Sequence, residues 1–305
     1  MDSLGKMYLL LVIIMVVWGL NVPATKILVD QFMPVTITAL RIFTAGITVF
    51  VILYISKLFR MPMKKEIPSL ILGSVLNVAV HHYFLAVGLR NTTAVNGGII
   101  LGLGPMLTAI LSIILLGSRF TVVKGFGFVI GFAGVLVIVL QGKTGFEEVS
   151  SGDLFIFISI LSQALSFILI KRVSKSMDPR LLTGYMLVIG SFMLLMMSLI
   201  VEPGGLKSVD TGSALDYIIF FASAILATAI GHMTYNYAIG KIGAAESAIF
   251  MNLPPFFSLS GSALLLNEHI YPAHLIGLIF IIAGVVAGSG AYKQLRKSKH
   301  TGIPL

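Results

Sequence analysis

Ten apolar runs of about 20 residues, joined by short polar connections, restrict this chain to one class of fold. They lie at roughly 7–28, 34–56, 68–89, 94–116, 122–140, 153–172, 180–201, 217–239, 244–266 and 272–291. A run of that length crosses a bilayer as one α-helix, and none alternates as a barrel strand does. In hydrocarbon the backbone must satisfy its own hydrogen bonds, which a helix does within one segment. Charged residues make up 11% of the 305, against about 25% in an average soluble domain. That is too few to cover a water-facing surface. The expected fold class is an all-α integral membrane protein with ten transmembrane helices. The first run lacks a small-residue cleavage site and reads as a retained first helix.

The connections carry the charge and fix an orientation. The net charge is +9. The basic residues sit in short loops, so a nucleic-acid partner is not expected. With the N-terminus in the cytoplasm, 16 Lys and Arg fall on inside segments: Lys6, four over 57–65, Arg119, Lys124, four over 171–180, Lys241 and four over 293–299. Four fall outside: Lys26, Arg90, Lys143 and Lys207. Arg41 remains, inside span 2. The excess of positive charge inside predicts ten spans in the plasma membrane with both termini cytoplasmic. The longest connections, 141–152 and 202–216, are too short for a soluble catalytic domain. There are no cysteines, so no disulfide framework and no thiol chemistry.

The chain also repeats itself. A shift of 150 carries Pro105 onto Pro255, Leu116 onto Leu266, Gly127 onto Gly277 and Gly134 onto Gly284. A shift of 145 carries Lys26 onto Lys171 and Pro34 onto Pro179. A shift of 152 carries Ala86 onto Ala238 and Gly88 onto Gly240. The offset changes only at loops. Two units are expected, 1–143 and 144–305, each of five spans. Five is odd, so the second unit enters the membrane upside down relative to the first. Inverted repeats of this kind characterise carriers that alternate access around a site at the repeat interface.

The Trp18-Gly19-Leu20-Asn21 turn and the Pro34-to-Arg41 pattern resemble the drug/metabolite transporter superfamily. So does the ending of each half: Pro, an apolar run, a Gly-Glu-like pair, then Gly-x6-Gly-Val. The chain is most similar to the superfamily's EamA branch of ten-helix carriers, over about residues 8–292. Asn267-Glu268 resembles the branch's Gly-Glu pair. Gly117-Ser118 departs from it, with Ser in place of Glu. The resemblance implies a central cavity lined mainly by spans 1, 3, 4, 6, 8 and 9. It implies export of amino acids or related metabolites.

Polar side chains within spans are the candidate site, because each is costly in hydrocarbon. Span 3 carries Asn77 and His81, four apart on one face, with His82 beside them. Span 8 carries His232 and Asn236, also four apart. Either these pairs form a polar cavity wall, with His81 and His232 able to take a proton, or they bond between helices. Trp18, Asn21 and Gln163 sit at comparable depth in spans 1 and 6. Gln163 is the counterpart of Trp18 at the 145 shift, giving one aromatic and one amide wall.

Spans 4 and 9 are interrupted, by Gly102-Leu103-Gly104-Pro105 and by Asn252-Leu253-Pro254-Pro255. Proline removes a backbone donor and frees a carbonyl, and paired breaks in two halves point to a carrier's binding site. Asn96 and Asn252 would place amides beside them. Glu246 is a candidate for coupling, against the simpler reading as a carboxylate in a first helical turn. Arg41 is expected to snorkel to the outer interface; a structural role, which the resemblance implies, and binding of a substrate carboxylate are the alternatives. Glu268 is expected to make an interfacial or loop contact. The small-xxx-small spacings at Gly127–Gly131 and Gly284–Gly288 suit either a contact within the chain or a homodimer seam.

The residues thus predict a secondary transporter, with a small molecule, membrane lipid and a proton as candidate partners. No cofactor and no metal site is expected. Import of a vitamin or other metabolite, and multidrug efflux, are the alternatives on the same fold. An intramembrane enzyme would need a catalytic set inside the spans. No Asp lies deep in one, and no HExxH occurs.

Overall fold

The computed structural model describes residues 3–117, 121–140 and 150–289, and every regular element in them is helical. The first part of the chain supplies α1 (Ser3–Gln31), α2 (Pro34–Ile55), α3 (Ile67–Gly73), α4 (His81–Arg90), α5 (Ala94–Leu101), α6 (Gly104–Leu116) and α7 (Val122–Val139). The second supplies α8 (Ser151–Val173), α9 (Pro179–Val201), the short α10 (Gly205–Ser208), α11 (Ala214–Ala222), α12 (His232–Ile242), α13 (Ala244–Phe250), α14 (Pro254–Leu266) and α15 (Pro272–Ser289).

Where the sequence pattern predicts ten comparable spans, the described residues give seven helices long and apolar enough to cross a membrane. Three shorter apolar helices accompany them, Gly125–Ile138, Pro254–Leu266 and Pro272–Gly284. The second of these is short because residues 251–253 separate α13 from α14. Residues 102–103 separate α5 from α6 in the same way. Both interruptions fall at the Gly/Pro clusters where they are expected. Pro23, by contrast, does not end its helix, since α1 runs through it.

One feature has no counterpart in the sequence reading. Between α3 and α4 the chain passes through a π-helical stretch, Ser74–Val80. Between α11 and α12 it passes through a second, Ser223–Gly231. These stretches occupy spans 3 and 8, and each ends on the residue before a histidine, His81 or His232. Wider i→i+5 turns change which side chains face a neighbour and recur at functional sites.

Helix starts are held by side chains. Thr93, Ser150, Asp178 and Ser213 accept backbone N–H bonds at the starts of α5, α8, α9 and α11. Two carboxylates do the same from a distance. Glu202 accepts from Val35 and Thr36 N–H, both at 2.8 Å, at the start of α2. Glu268 accepts from Ala94 and Val95 N–H, both at 2.8 Å, at the start of α5. The expected loop contact of Glu268 is therefore a cap, in which a negative charge meets the positive end of a helix.

Packing follows the small residues. α7 lies on α15, α2 on α9, α4 on α8 and α1 on α14. In the first pair, a Cβ on Gly284 would stand 2.5 Å from Gly131 N and 2.6 Å from Gly127 O. These glycines are thus used in a contact within the chain. The buried core runs through Leu11, Met15, Ile42, Val49, Phe167, Leu182 and Tyr235. Large apolar side chains at Ile114, Val129, Ile218, Leu264 and Ile279 face outward. An apolar exterior of this kind suits lipid.

Candidate functional site

A central cavity sits where α1, α2, α4, α5, α8, the second π-helical stretch, α12 and the break before α14 converge. It encloses about 710 Å³ of empty space, its opening included. Its apolar lining includes Val22, Leu85, Leu89, Leu101 and Met251. Its polar lining includes Trp18, Asn21, Arg41, His81, His82, Gln163 and His232. A few convergent polar groups on an apolar lining are what a small-molecule site requires.

The two helix breaks form part of the lining and touch each other. Gly102 faces Pro255, so that a Cβ there would lie 2.8 Å from the proline ring. Gly102, Pro254 and Pro255 line the cavity. Gly104 faces Met251 and Ile160 instead. Pro105 is buried in the first turn of α6 and lies outside the lining. Gly98 lets α5 approach α14, since any Cβ there would collide with the Ser258 hydroxyl.

Trp18 is fixed by its indole N–H, which donates to the Ala227 carbonyl at 2.8 Å. That carbonyl belongs to the π-helical stretch. Gly231 makes the approach possible, because a Cβ would stand 2.5 Å from the indole nitrogen. The indole packs 5.1 Å from the His232 ring and 5.0 Å from Tyr235. Phe167 continues the aromatic layer at 5.2 Å from Tyr235.

The three histidines behave differently. His81 is bound on both ring nitrogens. Its Nδ1 lies 2.8 Å from the Ser159 hydroxyl and 3.1 Å from the Ser159 carbonyl. Its Nε2 lies 3.0 Å from Gln163 Nε2. His81 therefore ties α4 to α8 and sets the Gln163 amide. His82 is 3% exposed, and neither of its ring nitrogens has a hydrogen-bond partner among the described residues. His232 is 6% exposed, and its Nδ1 has none. Their rings are 5.7 Å apart.

Several expected residues lie elsewhere. Asn77 donates to the Ser166 hydroxyl at 2.7 Å, and Asn236 to Thr183 Oγ1 at 2.9 Å. Both are helix-to-helix contacts. Asn77 lies within the first π-helical stretch, and His82 rather than Asn77 joins His81 in the cavity lining. Asn96 sits in the first turn of α5 beside Asp153, and Asn252 lies in the break without lining the cavity. The side chain of Glu246 lies outside the described residues.

Arg41 corrects the expectation outright. It does not snorkel: it is 2% exposed and lines the cavity. Its Nη1 donates to Ser223 Oγ at 3.1 Å and to Thr228 Oγ1 at 2.8 Å, across to the π-helical stretch. Ser223 in turn donates to Asn21 Oδ1 at 2.6 Å. Sequence reading misplaced Arg41 because its hydroxyl partners come from a helix more than 180 residues away. Among the described residues, no group of three His, Cys, Asp or Glu gathers as a metal site.

The EamA-like transporter family model matches residues 5–140 and 150–288, nearly the whole chain in two copies. The chain belongs to this family. Relatives of this EamA-like transporter include the uncharacterized transporter YyaM of Bacillus subtilis, 29% identical over 94% of this chain and 95% of that one. The uncharacterized transporter sll0355 of Synechocystis is 27% identical over 88% and 85%. An uncharacterized transporter of Archaeoglobus fulgidus is 26% identical over 92% and 97%. A solved crystal structure shares the fold at a TM-score of 0.69 and 16% identity, covering 95% of this chain and 99% of that one. The protein is thus a multi-span membrane transporter.

Proposed function

We propose that this EamA-like transporter is a secondary carrier that moves a small amphipathic metabolite by alternating access. Amino acids and related compounds, moved outward, are the proposed cargo. The observation that carries this reading is the central cavity bounded by two touching helix breaks. Interrupted helices at matching places in two halves are how such carriers build a midplane site. The packing supports an inverted pair of five-span units, 1–143 and 144–305. Exchanging the halves carries the α4–α8 contact onto the contact of α12 with α1, and the α1–α14 contact onto that of α8 with α6. With ten spans and the Lys/Arg bias, both termini lie on the cytoplasmic side of the plasma membrane.

Trp18, Asn21, Gln163 and His232 are the proposed substrate contacts, with His81 holding Gln163 in place. Asn77 and Asn236 are assigned to packing. Flux of pooled labelled amino acids in proteoliposomes tests the reading. A subset is expected to move, and His232→Ala is expected to slow it about tenfold at unchanged protein level, the loss of about one polar contact. Normal flux in that variant would remove His232 from the site. An imposed pH gradient separates the driving modes. Acceleration assigns proton coupling, and indifference assigns exchange.

A further inference from the structure

Among the described residues, Arg41 is the only charged side chain in the cavity lining, and no carboxylate lies within ion-pairing distance of it. The described ion pairs are made elsewhere, by Lys26 and Arg90 with Asp30, Arg60 with Glu66, and Arg180 with Asp178. A guanidinium buried in a membrane protein without a counter-ion is costly unless something supplies negative charge. Its donors are also unevenly used. Both described hydrogen bonds leave from Nη1. Among the described residues the Nε and Nη2 edge makes none. That edge is the fork that takes a carboxylate in a two-pronged contact. The same lining holds His82, more than nine-tenths buried and, among the described residues, without a partner on either nitrogen.

We propose that the group recognised in this cavity is a carboxylate, held by the free edge of Arg41 with the His82 ring as a further donor. The inference rests on the carrier reading and narrows its substrate class: small compounds that carry one carboxylate on an apolar body, amino acids among them. Charge balance sets the class. One carboxylate neutralises one guanidinium, whereas a phosphate dianion would leave a net negative charge buried. A cationic amine would add to the unpaired charge. Among the described residues the lining offers no carboxylate for a substrate ammonium, so an α-amino group is not required. The apolar lining residues Val22, Leu85, Leu89 and Leu101 receive the hydrocarbon part.

The protein carries its own reporter. Trp18 is the sole tryptophan and lines the cavity, so intrinsic indole emission reads one residue at the site. The full-length protein in detergent is titrated with matched aliphatic series of three to six carbons. Each series comprises the carboxylate, its primary amide, the α-amino acid and the amine of equal carbon skeleton. Carboxylates are expected to change the emission saturably, the amino acids no more tightly, and the amides and amines about 10- to 100-fold more weakly, the range for one charge-assisted bond. Arg41→Gln is expected to weaken the carboxylates by the same factor, and Arg41→Lys to recover part of it.

Amines or amides that bind as well as the acids overturn the inference. So does Arg41→Gln with unchanged acid affinity, or a set in which no carboxylate perturbs Trp18. The comparison within the wild-type protein decides the matter even if Arg41→Gln fails to fold. Proteoliposome flux keeps the two readings apart. Transport that ignores the carboxylate sinks this inference and spares the carrier, and absence of transport for every compound sinks the carrier itself.

Discussion

Gly284→Leu is expected to abolish the folded protein. The α7–α15 seam is built at backbone distance. A Cβ at position 284 would meet Gly131 N at 2.5 Å and Gly127 O at 2.6 Å. A Cβ on Gly134 would likewise meet Gly277 O at 2.7 Å. Neither obstacle is a flexible side chain, so a leucine fits only if the two helices separate. Overpacking against movable side chains costs about 1–3 kcal/mol. Here the strain is larger, and separation also forfeits the dispersion contacts that hold membrane helices together. Detergent-solubilised Gly284→Leu should lose its monodisperse chromatographic peak. Ile279→Leu, on the exposed face of the same helix, should keep it. A stable, monodisperse Gly284→Leu would show that α7 and α15 are not joined as described.

Gly19→Val is expected to stop transport. Gly19 follows the cavity tryptophan and faces the break in span 9. A Cβ there would stand 2.5 Å from Phe257 Cβ and 2.6 Å from the Pro254 carbonyl oxygen. Valine must push α1 away from α14. Trp18 moves with α1, and its bond to the Ala227 carbonyl ties that motion to the second π-helical stretch. The expected strain is about 1–3 kcal/mol or more. It falls on the two elements that frame the cavity. Flux per folded protein should drop to background, and Trp18 emission should shift as its contacts with His232 and Tyr235 loosen. Wild-type flux with unshifted emission would mean that the α1–α14 contact does not shape the site.

The sequence announces the helices and the breaks because each has a local cause. A run of apolar residues must be helical in lipid. Gly102-Leu103-Gly104-Pro105 and Asn252-Leu253-Pro254-Pro255 interrupt a helix wherever they occur. Trp18, Asn21, Gln163 and His232, picked as polar groups within spans, do converge on one cavity. What stayed hidden depends on neighbours. Depth along a span is legible, but the direction a side chain faces is not once the helix changes pitch. The stretch Ser74–Val80 carries no residue that demands a π-helical turn, and it is His82 and not Asn77 that reaches the cavity. Arg41 shows the same dependence on neighbours. Its place is set by Ser223 and Thr228, which no local pattern connects to it. Asn236 likewise finds Thr183 on α9, although its spacing from His232 suggested a shared wall.

The central claim is that cargo passes through this cavity. The chain has no cysteine, so one introduced thiol can be modified alone. Leu85→Cys places it in the lining, and Ile279→Cys places it on a face that is 63% exposed in the bundle. The measurement is proteoliposome flux before and after full modification of each variant with a methanethiosulfonate reagent. Modification at Leu85→Cys should block flux, substrate should slow that modification, and modification at Ile279→Cys should do neither. Undiminished flux through fully modified Leu85→Cys would contradict the account.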